Sequence, residues 1–198
     1  MDTPEPKHGV RQRKKDEARN RIADAVIALM ADGSSDINHD AVASIVGIGR
    51  RTVYRYFPDR QALLASAAAR ARALMGRGPF PRNEQDLFDT YSIYTGQDRI
   101  ASIVTLLRST PQGRAIRLSQ KNERQNSYMA ATADIVKDLS EEERVLATAV
   151  FQVLHTTPWL DMRDNWDLSG EQIARATGWA IRTLVADLRA RGGRSIDE

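Results

Sequence analysis

An all-α fold in two helical parts is what this sequence predicts, and three observations predict it. Apolar residues recur at helical spacing through almost every segment, and no alternating strand pattern competes with them. Ser140 with Glu143 and Ser169 with Gln172 are paired as helix-starting capping boxes. The run Gly76-Arg77-Gly78-Pro79-Phe80-Pro81 is the strongest punctuation in the chain and marks the expected boundary between the parts. No internal repeat is present.

Residues 1–15 read as a disordered basic arm. Two prolines and a glycine interrupt the stretch to Val10, and Arg11, Arg13, Lys14 and Lys15 follow. That charge run suits a phosphate or a minor groove, or equally a solvated face. A first domain is expected over 16–76. Its first helix covers about 16–30, with Ile22, Val26 and Leu29 beside Ala18, Ala25 and Met30 as the apolar stripe. Asp32-Gly33-Ser34-Ser35 ends it. Asn38 caps a second helix whose inward residues are expected to be Ala41, Val42, Ile45 and Val46. Gly47 supplies a tight turn, a short third helix follows to Phe57, and Pro58-Asp59 breaks it before an alanine-rich helix over 60–75.

A second domain is expected over 82–198. Helices are predicted over 84–95 and 98–108, and a long one from Pro111, tolerated in a first turn, to about 138. One more opens at Ser140. The last opens at Ser169 and places Ile173, Ala176, Thr177, Ala180, Ile181, Leu184 and Leu188 on one broad face.

The 198 residues suffice for a sizeable core, and the composition is that of a soluble globular protein: 41% hydrophobic, 28% charged, mean hydropathy −0.48. The absence of cysteine removes disulfides and thiolate chemistry, and fits a reducing cytoplasm. The charge-free stretch 145–160 is too short and too polar to span a bilayer, and the first thirty residues lack a signal peptide's apolar run. A cytoplasmic protein with no membrane partner is therefore expected. Residues 1–75 carry 13 Lys/Arg against 9 Asp/Glu, while the remainder carries 16 against 17. The basic excess lies entirely in the first part, where phosphate neutralisation would use it. His8, His39 and His155 are too dispersed to hold a metal, and no nucleophile-elbow, P-loop or dinucleotide motif occurs. Glu141-Glu142-Glu143 reads as helix N-terminal acidity. No enzyme, cofactor or metal is expected.

Residues 38–57 carry most of the functional content. Two short helices flank Val46-Gly47-Ile48-Gly49, and the second sets Arg50, Arg51, Thr52, Tyr54, Arg55 and Tyr56 on a rod held by Val53 and Phe57. This is a helix-turn-helix pattern, suited to a DNA groove. Ala43, Gly47-Ile48-Gly49, Thr52-Val53-Tyr54-Arg55-Tyr56-Phe57 and Arg60-Gln61-Ala62-Leu63 together resemble the DNA-binding domain of TetR-family transcriptional regulators. Gly49 departs from the family's capping serine, and Arg51 from its common glycine. The resemblance implies that Thr52, Tyr56 and Arg60 hold phosphates while Arg50, Arg51, Tyr54 and Arg55 face the groove. Arg50 or Arg51 is the expected base reader, and Tyr54 has an alternative place inside the domain.

More loosely, the second part is similar to that family's helical ligand-binding and dimerisation domain. The stretch 166–184 resembles its final helix, which pairs across a two-fold axis, with Ala176, Ala180 and Leu184 suited to close packing. Tyr91, Tyr94, Arg108, Gln125, Met129, Phe151, His155 and Trp159 are the candidates for a small-molecule effector pocket beside the helix from Pro111. The function so implied is a homodimeric repressor of a palindromic operator in double-stranded DNA, released by a ligand. The alternative is a DNA-binding regulator whose second domain serves only dimerisation or a protein partner.

Overall fold

The computed structural model describes residues 7–34, 36–75 and 80–198. Among them are α1 (Lys7–Ala31), α2 (His39–Val46), α3 (Arg50–Tyr56), α4 (Arg60–Met75), α5 (Glu84–Leu87), α6 (Thr90–Arg99), α7 (Ala101–Ser109), α8 (Pro111–Ser119), α9 (Lys121–Thr132), α10 (Glu141–Thr156), α11 (Trp159–Trp166) and α12 (Gly170–Arg191). No strand occurs among the described residues, so the fold is all-α.

The chain clusters into two compact units, residues 1–71 with 106–119, and residues 72–105 with 120–198. The first differs from the expected 16–76 by taking in a distant segment. Leu106, Leu107 and Ile116 carry apolar surface on adjoining turns, and Ile116 is buried in the same core as Ile22, Val26, Ile37, Val42, Val53, Phe57 and Leu63. Gly113 allows the α7–α8 corner, because a Cβ there would collide with the Leu107 carbonyl. Most of the punctuating run, 76–79, lies outside the described residues.

Three sequence expectations are corrected. Residues 7–15 are helical, not a disordered arm; beyond Pro6 no proline interrupts α1, and Gln12 donates to Asp16 one turn on at 3.0 Å. The first six residues lie outside the described ones. The helix expected over 111–138 breaks at Gln120. Ile116 belongs to the first core, whereas Tyr128 and Ala131 belong to a core of the second unit, so the two halves of the expected helix serve different units. Ile45 faces solvent, since the buried stripe of α2 is His39, Val42, Ala43 and Val46.

The second unit has two apolar clusters. One gathers Leu87, Tyr128, Ile135, Val136, Phe151 and Ile181; the other gathers Ile93, Tyr94, Val104, Trp159 and Ile173. α6 lies close against α12, with the Thr90 hydroxyl donating to the Ala174 carbonyl at 2.9 Å. Asp98 ties three helices: its carboxylate accepts from Trp159 Nε1 at 2.7 Å and from the Gly170 amide, at the start of α12, at 2.6 Å. Both capping boxes form as expected, at Ser140 with Glu143 and at Ser169 with Gln172.

Candidate nucleic-acid interface

The turn between α2 and α3 is built from local chemistry. Asn38 Oδ1 accepts the amides of Asp40 and Ala41, both at 2.9 Å, which satisfies two of the orphan donors at the start of α2. Gly47 ends that helix at φ +71°, and its amide and that of Ile48 return to the Ala43 carbonyl at 2.9 and 3.1 Å. A Cβ at Gly47 would meet nothing, so the left-handed backbone, not space, calls for glycine. Arg21 of α1 donates to the Val46 carbonyl at 2.8 Å and pins the same corner.

α3 then begins without a side-chain cap, because Gly49 stands in that position. Val53 and Phe57 turn inward; fully burying such residues stabilises by about 1.5–3 kcal/mol each. Arg51 and Arg55 are exposed, Thr52 and Tyr56 half-buried. Arg55 lies over the Tyr56 ring at 5.4 Å. Among the described residues nothing pairs with the Arg51 guanidinium. Arg50 is also exposed but engaged: its Nη1 lies 3.1 Å from Asp40 and its Nη2 donates to the Tyr54 hydroxyl at 3.3 Å. That hydrogen bond, and then the Asp40 carboxylate, hold the Arg50 guanidinium above its usual range. Tyr54 is 38% exposed, so it neither sinks into the core nor stands free. Arg60 opens α4 and donates through Nε to the Ile37 carbonyl at 3.2 Å.

One contributor escaped the sequence reading. His39 is buried, places Nε2 2.8 Å from the Phe57 carbonyl oxygen, and stacks on Tyr54 with 3.8 Å between centroids and 1° between planes. A carbonyl only accepts, so Nε2 carries the proton. The reach of His39 to α3 was not legible, because it depends on how the two helices cross.

Of the eight effector candidates, Tyr94 and Trp159 share one buried cluster and Phe151 lies in the other. Tyr94, Phe151, His155 and Trp159 are buried, whereas Tyr91, Gln125 and Met129 are exposed. Arg108 belongs to the segment that clusters with the first unit. Three of the buried four spend their polar atoms inside the protein: Tyr94 donates to the Leu154 carbonyl at 2.5 Å, Trp159 to Asp98, and His155 joins the Tyr128 hydroxyl at 2.7 Å to the Asp86 carbonyl at 2.9 Å. A cleft of about 680 Å³ in the second unit is lined instead by Asp98, Ala101, Arg163, Asp164, Asp167, Leu168 and Ser169. No helix among the described residues is long and apolar enough to cross a membrane.

Two short helices joined by a left-handed glycine turn, the second carrying exposed arginines over a buried valine, define a helix-turn-helix protein. Comparison with known proteins agrees: residues 11–60 match a family described as the helix-turn-helix domain of resolvase. A 68-residue stretch is 37% identical to the HTH-type transcriptional repressor LfrR of Mycolicibacterium smegmatis, covering 34% of this chain and 33% of that protein. The match thus spans about a third of the relative's length. No solved structure matches the chain. Geometry and the family match agree on a helix-turn-helix domain within residues 11–60.

Proposed function

We propose that the chain is a sequence-specific transcriptional repressor of the TetR type, acting as a homodimer on a palindromic operator. The observation that carries this is the outer face of α3, where Arg50, Arg51, Tyr54 and Arg55 are all exposed on a seven-residue helix anchored by Val53. Arginine offers bidentate donors that match guanine edges and phosphates, and a helix of this size fits a major groove. Thr52, Tyr56 and Arg60 are assigned to phosphates, which set position without reading sequence. Repression is inferred from the resemblance and from the name of the relative.

Dimerisation is proposed because one helix-turn-helix covers only a half-site. The second unit offers surface for it: Val145, Leu146, Val150 and Val153 form an exposed apolar stripe on α10, and Trp179 of α12 is 68% exposed. Release by a small molecule is proposed with the charged cleft beside Asp98, Arg163 and Ser169 as its site. A specific observation favours the alternative, in which the second domain only dimerises or binds a protein. The aromatic residues best suited to a ligand are buried with their polar groups already paired.

Selection of bound duplexes from a random pool by the full chain tests the central reading. An inverted-repeat consensus with half-sites one helical turn apart, about 34–36 Å, is the expected result. A recovered pool no different from the input contradicts it. Sedimentation of wild type against Val150→Glu tests the dimer, the variant being expected to shift towards monomer.

A further inference from the structure

We propose that Arg50 is the guanine-reading residue of α3, and that His39 and Asp40, which open α2, determine its specificity by holding Arg50 and Tyr54 in place. This role presupposes the DNA-binding function proposed above and assigns within it which arginine reads sequence and what positions it.

α3 cannot hold its own side chains in register. At seven residues it is far below the length at which an isolated helix is stable, and Gly49 leaves its first turn without a side-chain cap. Order is supplied from α2. His39 is clamped by its Nε2–H to the Phe57 carbonyl and lies flat on the Tyr54 ring, which fixes the rotation of that ring. The Tyr54 hydroxyl then accepts from Arg50 Nη2, the guanidinium rests 5.3 Å from the Tyr54 ring centroid, and Asp40 takes Nη1. Arg50 is thereby held by two groups on different helices while it remains exposed.

A guanidinium carries five donors in a planar fork, so these two contacts leave donors for the O6 and N7 acceptors of a guanine. Long side chains otherwise lose rotamer freedom on binding; an arginine already in place loses less, and its preference for one base edge is sharper. Asp40 also repels phosphates that would draw Arg50 aside. Arg51, with nothing to hold it among the described residues, suits a phosphate or a less exacting contact. In this arrangement His39 and Asp40 are positioning residues.

The test uses the full-length protein with duplexes selected from a random pool. Affinities for the best duplex and each of its single-base-pair variants are measured at one fixed salt concentration, for wild type, Arg50→Ala, Arg51→Ala, Asp40→Asn, His39→Ala and His39→Phe. Arg50→Ala is expected to flatten the preference at one guanine position by roughly tenfold or more. Asp40→Asn and His39→Ala are expected to relax that same position in part, with His39→Phe, which keeps a ring on Tyr54, relaxing it less than His39→Ala. Asp40 is exposed, so its variant folds and remains informative if the His39 variants do not. The assignment is overturned if Arg51→Ala erases that preference in place of Arg50→Ala. It is overturned also if Asp40→Asn leaves the preference untouched while Arg50→Ala removes it. A wild-type protein without any preference would take down the DNA-binding reading as well, which separates the two failures.

Discussion

Two histidine–tyrosine pairs among the described residues are built in opposite ways. In the first unit His39 and Tyr54 stack flat, and the tyrosine hydroxyl is left to meet an exposed arginine. In the second unit His155 and Tyr128 meet edge to face at 78°, both buried, and the hydroxyl is consumed by the imidazole Nδ1. Nε2 donates to a carbonyl in each pair, so each ring bridges two elements. The difference lies in where the remaining polarity is spent. A pair beside an exposed surface directs it outward, while a pair in a core must satisfy it internally, because a buried unpaired donor or acceptor costs about 1–3 kcal/mol. The caps repeat this contrast: α10 and α12 start with complete capping boxes, whereas α3 has none and relies on its neighbour α2.

The largest effect that can break the comparison is on stability. His155→Ala should lower the unfolding free energy by about 3 kcal/mol or more, through a cavity plus the loss of the buried hydrogen bonds to the Tyr128 hydroxyl and the Asp86 carbonyl. Urea denaturation checks this, and a loss under about 1 kcal/mol would mean that the network is not structural. His39→Ala should cost less, about 1–2 kcal/mol for the stack and one hydrogen bond, and should weaken specific DNA binding far more than the His155 change does. Comparable effects of both variants on both properties would dissolve the distinction.

Gly47→Ala comes next, at roughly 1–2 kcal/mol, because the left-handed backbone strains any Cβ. Thermal unfolding is the measurement, and a neutral result would contradict that geometry. A pH titration follows. Glu143 is held down to about 2 by the Ser140 hydroxyl first, then Ser195 and the amides of Ile196 and Ser140. A depressed carboxylate contributes stability that is full above its ordinary value of 4.5 and is lost as pH falls towards 2. Glu143→Gln should therefore flatten the acid limb in that window, and stability that still falls with the same slope would contradict the assignment. Smallest is Gly49→Ser, expected to stabilise α3 by a few tenths of a kcal/mol, since open space surrounds Gly49 and serine can supply the missing cap.

Much of the fold was legible because its signals are local. Asn38, Gly47, Ser140 and Ser169 each act on backbone groups within three or four residues, so spacing alone reveals them. The outward arginines of α3 were legible for the same reason, with Val53 and Phe57 fixing which side faces in. Ile45 was misassigned because an eight-residue helix offers too few turns to separate its inner stripe from the adjacent position. The break at Gln120 had no glycine or proline to announce it. An aromatic residue with a polar tip reads alike in a ligand pocket and in a satisfied core. Only the partners of Tyr94, His155 and Trp159 in three dimensions separate the two, as they do for His39.

The most direct test of a sequence-reading α3 is binding of the full chain, by fluorescence anisotropy at about 0.15 M salt, to a selected duplex and to its scrambled counterpart. Specific proteins prefer their sites by about 10³-fold or more, and that margin is predicted here, with Arg50→Ala removing a large part of it. Equal affinity for both duplexes, falling in parallel as salt rises, would reduce α3 to a phosphate-binding face and contradict the account.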